Sequence, residues 1–242
     1  MTIETIREMV RIRSLVDVKV EIWSDVVCPW CYVGKARFEE GLRRLGWDDG
    51  DVEVTFRPFE LDPHVPPGGE EIGEYLRRKF GSAATVEAIE GRVAEAGAEL
   101  GLAFDWSKVR RVNTFDAHRL LEWALRTAGA QAQARLKRRL MQAYFAEGGD
   151  VSDHGALAAM AAEVGLDAAA AAEVLEGGGY SEEVRAAERE ARELEIHAVP
   201  TFVVERRFAI PGAQDPETFA QVLARMRSRL AEEEAEGTPL PD

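Results

Sequence analysis

The chain contains 242 residues, with 30 lysines and arginines against 44 aspartates and glutamates, which gives a formal net charge of −14. This length supports one large domain, or a core domain with an inserted lobe, and needs no disulfides to hold the fold together. The acidic surplus argues against nucleic acid as a partner, because its phosphates would be repelled. The two cysteines, Cys28 and Cys31, exclude a disulfide-rich scaffold.

Residues 1–16 precede the first predicted strand and are interpreted as an N-terminal extension. Ile3, Ile6 and Val10 have helical spacing, which favours a short helix. Charged residues interrupt the apolar run that a signal peptide requires, and no segment approaches the roughly 18 consecutive apolar residues of a membrane span. We therefore expect a cytoplasmic protein without a membrane partner. In that compartment a pair of cysteines is more often catalytic or metal-binding than structural.

The first regular elements are a strand and a helix that carries the cysteines. Residues 18–24 alternate and are rich in β-branched side chains, which predicts a strand. Pro29 suits the first position of a helix, and Gly46 marks its end. A second strand is predicted over residues 52–61, where Pro58 indicates an edge, a bulge or the end of the strand.

The middle of the chain has a helical pattern. Apolar residues recur at helical spacing from about residue 66 to 194, apart from residues 102–113, which show no clear period. Asp167 is a predicted N-cap, and Ser181 with two following glutamates begins another helix. The pattern predicts several short helices and no coiled coil.

The strand pattern returns near the end of the chain. Residues 199–204 predict a strand entered through Pro200, and residues 208–210 complete a hairpin. Residues 215–217, Asp-Pro-Glu, are a strong signal for the start of a last helix. The acidic, proline-containing residues 231–242 are expected to fray.

Strands at both ends of a helical middle predict an α/β fold with a discontinuous core. We expect residues 17–65 and 195–230 to share one sheet, while residues 66–194 form a large all-helical insertion. We interpret residues 1–16 as an N-terminal extension and residues 231–242 as an acidic flexible tail.

Cys28 and Cys31 lie three residues apart at the start of the predicted helix, about one turn apart on one face, so their sulfurs are close enough to bond. A helix N-terminus stabilises a thiolate through its free N–H groups and the positive end of its dipole. We therefore predict that Cys28 is the attacking nucleophile and Cys31 the resolving thiol. Pro29 and Trp30 restrict the loop and are expected to tune the relative stability of dithiol and disulfide.

Three other interpretations of the cysteines stay open at this point. A zinc half-site would need two more ligands, and the four histidines lie at no zinc-finger spacing. A structural disulfide across so short a loop would add little stability, and two ordinary buried thiols are the third interpretation. We predict no metal and no bound cofactor.

The segment from Ser24 to Lys35 resembles the active-site segment of the DsbA-like thioredoxin-fold oxidoreductases, particularly their FrnE-like branch. The resemblance extends to four further motifs: Phe56–Pro63, Asn113–Arg119, Val199–Phe202 and Gly212–Gln214. It covers about residues 17–230, and it implies a thioredoxin-like fold with a helical insertion. This layout agrees with the one that the strand and helix patterns predict independently.

The resemblance also implies roles for individual residues. Pro200 corresponds to a cis-proline beside the active site, where the backbone of Val199 can pair with an extended substrate. Asn113 is expected to cap an inserted helix near the substrate groove, with His118 facing the cysteines or the substrate. The alternative for His118 is a purely structural role.

Two related families share this fold and insertion. The kappa-class glutathione transferases and the 2-hydroxychromene-2-carboxylate isomerases typically carry serine where Cys28 stands. Because both cysteines are present here, we favour thiol–disulfide exchange. The protein would act as a reductase or isomerase, and its partners would be disulfide-containing proteins or small thiols. Glutathione is a candidate redox partner. A glutathione-dependent transferase or isomerase, or a peptide-binding module without redox chemistry, is the alternative. The chain is expected to be a monomer or a homodimer.

Overall fold

The computed structural model describes residues 18–48, 51–66 and 68–235. The predicted extension, residues 1–16, lies outside the described residues, as do residues 236–242 of the predicted tail. Among the described residues, no helix has the length and apolar character needed to cross a membrane.

The first strand, β1 (Val18–Ser24), runs parallel to β2 (Val52–Pro58). Between them, α1 (Pro29–Leu45) begins at the proline, as the sequence predicts, and ends at Gly46. That glycine adopts a left-handed conformation (φ 67°), and its N–H donates a hydrogen bond to the carbonyl of Arg43.

Strand β2 is shorter than predicted. It ends at Pro58 and not at Leu61, since the chain turns away there and the Leu61 N–H donates to Oδ2 of Asp25 at 2.7 Å. β2 is also an edge strand, so Pro58 marks both an edge and a strand end, two of the three predicted possibilities.

The C-terminal part of the chain completes the sheet. Strands β5 (Thr201–Val204) and β6 (Phe208–Pro211) form the predicted hairpin, and the sheet order is β2-β1-β5-β6. The last helix, α9 (Pro216–Ala235), packs against α1. It continues past the predicted boundary at residue 230, and the ion pair between Arg207 and Glu233, 2.8 Å, supports that extra turn.

The described residues of the insertion form helices and one short strand pair, joined by loops. Its elements are β3 (Glu70–Glu71), α2 (Ile72–Phe80), α3 (Ala83–Ala98), β4 (Arg110–Arg111), α4 (Phe115–Ala128), α5 (Ala130–Gln142), a π-helical turn (Ala143–Glu147), α6 (His154–Glu163), α7 (Ala168–Gly177) and α8 (Ser181–Glu193). β3 and β4 pair antiparallel. Asp167 accepts hydrogen bonds from two N–H groups in the first turn of α7, as its predicted N-cap role requires.

The two largest apolar clusters of the described residues organise the molecule. The sheet cluster lies between the sheet and helices α1 and α9, and its largest fully buried side chains are Phe38, Phe202 and Phe219. The lobe cluster fills the helical insertion, but it also includes Cys28 and Cys31 from α1. The cysteines are therefore carried by the sheet domain and packed against the lobe.

Helix α5 joins the lobe to the free edge of the sheet. The side chain of Gln133 donates a hydrogen bond to the Phe56 carbonyl at 2.9 Å and accepts one from the Phe56 N–H at 2.8 Å. This side chain satisfies two β2 backbone groups that an edge strand leaves without a strand partner.

Candidate active site

Cys28 occupies the N-cap position of α1, and its sulfur accepts a hydrogen bond from the Cys31 N–H at 3.3 Å. Both thiols are buried: only 5% of Cys28 and 2% of Cys31 is exposed. Pro29, at the first helical position, has no N–H to offer, while half-buried Trp30 packs against the lobe. The arrangement places the Cys28 sulfur at the positive end of the helix and Cys31 one turn further in.

The peptide bond between Val199 and Pro200 is cis, and it lies beside the cysteines. The Cys28 thiol donates a hydrogen bond to the Val199 carbonyl, with the sulfur 3.8 Å from the oxygen. Pro200 packs directly on α1: a β-carbon added at Gly34 would lie 2.9 Å from its Cγ. Only glycine at position 34 permits this close approach.

Beneath the cysteines, Asp25 is fully buried and has several polar partners. Its Oδ1 lies 3.3 Å from Nε2 of His118 on α4, and its Oδ2 accepts the Leu61 N–H. Burial acts to raise the pKa of Asp25, but the His118 interaction, the Leu61 hydrogen bond and the charge of Lys137 together hold that pKa below its ordinary value. Asp25 is therefore a carboxylate at neutral pH.

Lys137, on helix α5, is also completely buried. Its Nζ donates a hydrogen bond to the Ser24 carbonyl at 3.2 Å. Burial lowers the pKa of Lys137 to about 8, although the neighbouring Cys31, Asp25 and Cys28 oppose that decrease. An ammonium group of the helical lobe thus lies within the electrostatic reach of both sulfurs.

The thiol of Cys31 is held in its neutral form by its surroundings. Burial raises the pKa of Cys31 well above its ordinary value, and the neighbouring Cys28 raises it further. The charge of Lys137 and the Asp25 N–H act in the opposite direction. These are the groups that favour the Cys31 thiolate.

The two predicted residues on the lobe lie at different distances from the chemistry. His118 reaches the cysteine site through Asp25 and is buried. Asn113 precedes Thr114, which occupies the N-cap position of α4, and its Oδ1 accepts the N–H of Phe115, the first residue of the helix, at 2.9 Å. Its Nδ2 donates to Oε2 of Glu60 at 3.3 Å, so Asn113 contacts a carboxylate where substrate was predicted.

Glu60 connects the loop after β2 to the lobe. Nη1 of Arg185, on α8, donates to its Oε1 at 2.6 Å. Burial and the neighbouring Glu188 carboxylate nevertheless raise the pKa of Glu60 to about 7. A cavity of about 430 Å³ opens beside this group, and its wall reaches His197, two residues before Val199.

The patterns in the sequence do not predict Asp25 or Lys137 as site residues. Asp25 lies within the motif that carries the family resemblance, and this position is the signal that identifies it. Lys137 lies in the basic run Arg135-Leu-Lys-Arg-Arg139, and no feature of this run distinguishes the buried lysine from the arginines beside it. Gln133 lies four residues before Lys137, so both side chains are on one face of the helix. This spacing is the signal in the sequence that Lys137 faces the sheet together with Gln133.

Comparison with known proteins identifies the domain. The family described as the DSBA-like thioredoxin domain matches residues 19–224. The chain belongs to this family. The FrnE-like branch stays a prediction from the sequence motifs.

Relatives with sequence similarity support the assignment. A probable DsbA oxidoreductase from Streptomyces coelicolor has a solved structure with 36% identity and a TM-score of 0.77, covering 93% of this chain and 92% of that one. YwbO of Bacillus subtilis is 29% identical over 212 residues, covering 86% of this chain and 96% of its own.

A more distant solved structure shares the fold alone. It is the cytosolic disulfide reductase DsbM from Pseudomonas aeruginosa with GSH, at 18% identity and a TM-score of 0.59. The match covers 90% of this chain and 99% of that one.

Proposed function

We propose that this DsbA-like protein is a cytoplasmic thiol–disulfide oxidoreductase of the FrnE-like branch, acting as a reductase or isomerase on disulfides of proteins or small thiols. The observation that carries the proposal is the position of the Cys28 sulfur, at the N-cap of α1 and 3.8 Å from the carbonyl of Val199. A helix N-terminus stabilises a thiolate, and an extended substrate chain can pair with the backbone of Val199 beside it.

The first step joins the enzyme to its substrate. The Cys28 thiolate attacks one sulfur of the substrate disulfide, the substrate S–S bond breaks, and the departing thiolate takes the electron pair and then a proton. A mixed disulfide between Cys28 and the substrate remains. An extended substrate strand at Val199 would hold the target disulfide in line with Cys28.

The second step releases the substrate. Cys31 loses its proton and its thiolate attacks the Cys28 sulfur, which forms the Cys28–Cys31 disulfide and expels the second substrate thiolate. That thiolate is protonated, so one substrate disulfide becomes two thiols while the enzyme dithiol is oxidised. A small thiol such as glutathione would restore the dithiol, and a reducing compartment favours this direction. The similarity of fold to a cytosolic disulfide reductase solved with GSH is consistent with this choice.

A redox titration of the purified protein in glutathione buffers tests the proposal. Alkylation of free thiols followed by mass spectrometry should show a reversible Cys28–Cys31 disulfide. Insulin reduction should fall at least about a thousandfold in Cys28→Ser, because the nucleophile is lost. Cys31→Ser should instead accumulate a mixed disulfide with the substrate.

The same variants distinguish the alternatives. If no reversible disulfide forms and insulin reduction does not depend on Cys28, the proposal is wrong. Conjugation of glutathione to an electrophile that persists in Cys31→Ser would indicate the glutathione-dependent transferase or isomerase, whose fold is shared by a solved 2-hydroxychromene-2-carboxylate isomerase (14% identity, TM-score 0.60). Binding of unfolded chains that is unchanged in Cys28→Ser, without redox activity, would indicate a peptide-binding module.

A further inference from the structure

The reaction above requires Cys31 to lose a proton in a buried site. Burial and the adjacent Cys28 both disfavour the Cys31 thiolate. The Cys31 side chain itself lies in the apolar cluster that is continuous with the lobe. Some group must therefore compensate the negative charge at the moment when Cys31 attacks.

Lys137 is placed to do this from the lobe. It has no exposed surface, and its Nζ is fixed by the hydrogen bond to the Ser24 carbonyl, directly before Asp25. Its charge acts on Cys31, on Cys28 and on the Asp25 carboxylate. In a buried site such charges are poorly screened, so an ammonium group stabilises a nearby thiolate more than it would at the surface.

The other charged and titratable groups facing Lys137 come from three elements. Asp25 lies in the turn between β1 and α1, and His118 of α4 is bound to it. Cys28, Cys31 and Lys35 belong to α1 or to its N-cap, and Lys35 acts on Lys137 as a repelling cation.

We propose that Lys137 is a positioning residue for the resolving step: its ammonium group, inserted by the helical lobe beneath the cysteines, stabilises the Cys31 thiolate that attacks the mixed disulfide. This inference rests on the proposed thiol–disulfide exchange. Lys137 does not touch the substrate and transfers no electrons. The proton that Cys31 releases is balanced by the proton that the departing substrate thiolate takes up, and the Cys28–Cys31 bond replaces the bond from Cys28 to the substrate.

Lys35 provides a matched control on the sheet domain. It is another buried lysine, and its Nζ lies 5.9 Å from the centre of the Phe56 ring, the same distance as that of Lys137. Its partner is the Glu39 carboxylate, 2.5 Å away, and it is not among the groups whose charge acts most strongly on Cys31. Removing Lys35 therefore removes a buried cation of the same kind without removing the charge next to the resolving thiol.

The test follows the Cys31 thiolate by its absorbance near 240 nm during a pH titration, in a Cys28→Ser background, with folding checked by circular dichroism. Lys137→Met should move the Cys31 transition to higher pH, while Lys35→Met and the charge-conserving Lys137→Arg should leave it close to that of the parent. Lys137→Gln is the replacement if the methionine variant does not fold, and the same shift is expected.

Kinetics in the protein with both cysteines give the second measurement. In stopped-flow reactions with glutathione disulfide, decay of the mixed disulfide at pH 7 should slow about tenfold in Lys137→Met, a factor equivalent to one unit of pKa.

An unchanged Cys31 transition together with unchanged decay of the mixed disulfide, in a folded Lys137→Met or Lys137→Gln variant, would overturn the inference. An equal effect in Lys35→Met would also overturn it, because a general loss of buried charge would then explain the result. Failure of wild type to form the Cys28–Cys31 disulfide would contradict the proposed function itself. The absorbance transition of Cys31 would still report whether Lys137 stabilises the thiolate.

Discussion

The sheet domain and the helical lobe differ in what they contribute to the cysteine site. The sheet domain fixes the geometry: β1 leads into the site, α1 carries both thiols, and Pro200 packs on Gly34. The lobe provides the surroundings, since the thiols belong to its apolar cluster and it contributes His118 and Lys137. An inserted lobe can therefore determine the reactivity of residues that it does not carry.

The largest effect should come from removing an aromatic side chain from each of the two clusters. Phe219 is fully buried in the sheet cluster, with its ring centre 4.6 Å from that of Phe202. Phe145 is buried in the lobe cluster and stacks on Tyr32, next to Cys31, at 5.7 Å. We expect Phe219→Ala and Phe145→Ala each to lower the free energy of unfolding by about 3–5 kcal/mol, measured by chemical denaturation.

The same two variants should differ in the titration of Cys31. Loss of Phe145 admits water to the apolar cluster that contains Cys31, and this reduces the burial that raises the pKa of the thiol. In a Cys28→Ser background, the Cys31 absorbance transition of Phe145→Ala should therefore move to lower pH by about one unit, whereas that of Phe219→Ala should match the parent. Equal transitions in both variants would contradict the assignment of the surroundings to the lobe.

A smaller effect is expected where the lobe meets the edge of the sheet. Gln133→Met keeps the side-chain volume but leaves the N–H and the carbonyl of Phe56 without their partners. Two buried backbone groups without hydrogen bonds should cost roughly 2–4 kcal/mol of stability. Gln142→Met, on the exposed face of the same helix, is the control and should change stability by less than about 0.5 kcal/mol. Similar losses in the two variants would show that the Phe56 hydrogen bonds contribute nothing.

The smallest effect concerns the contact of Glu60 with the lobe. Folding raises the pKa of Glu60 from 4.5 to about 7, so the folded protein retains a proton that the unfolded chain has released. Stability from this group is present below about pH 4.5 and is lost as the pH rises through about 7.

Urea denaturation at pH 5 and pH 8 measures this loss. Wild type should lose roughly 1 kcal/mol more between the two pH values than Glu60→Gln does, allowing for solvent screening. Equal losses of stability in wild type and Glu60→Gln would show that the retained proton is on another group of the cluster that contains Glu188.

Local signals in the sequence predicted most of the fold. Pro29 and Gly46 bound α1, Asp167 begins α7, and Pro216 begins α9, because caps and helix-starting prolines act within one turn of the chain. The cysteine pair is also a local signal, whereas the position of Pro200 beside it is implied by the family resemblance.

Contacts between distant segments were not predictable from the sequence. The resemblance places His118 near the cysteines or the substrate, but the local pattern does not reveal its partner Asp25, which lies 93 residues earlier. Lys137 is buried only because α5 packs across β2, and its own neighbours in sequence, Arg138 and Arg139, bind exposed glutamates. A charged side chain is buried when its helix face meets the sheet. In a run of basic residues, the apolar periodicity does not show which of them lies on that face.

The two hydrogen bonds of Gln133 have a consequence for how the chain avoids aggregation. An open edge strand is a template for pairing with other chains, and natural proteins cover such edges or interrupt them. Here helix α5 lies across β2 and its amide group takes the place of a neighbouring strand at Phe56. The insertion therefore shields the β2 edge from pairing with other chains, and a shortened chain without it would expose the backbone N–H and carbonyl groups of β2.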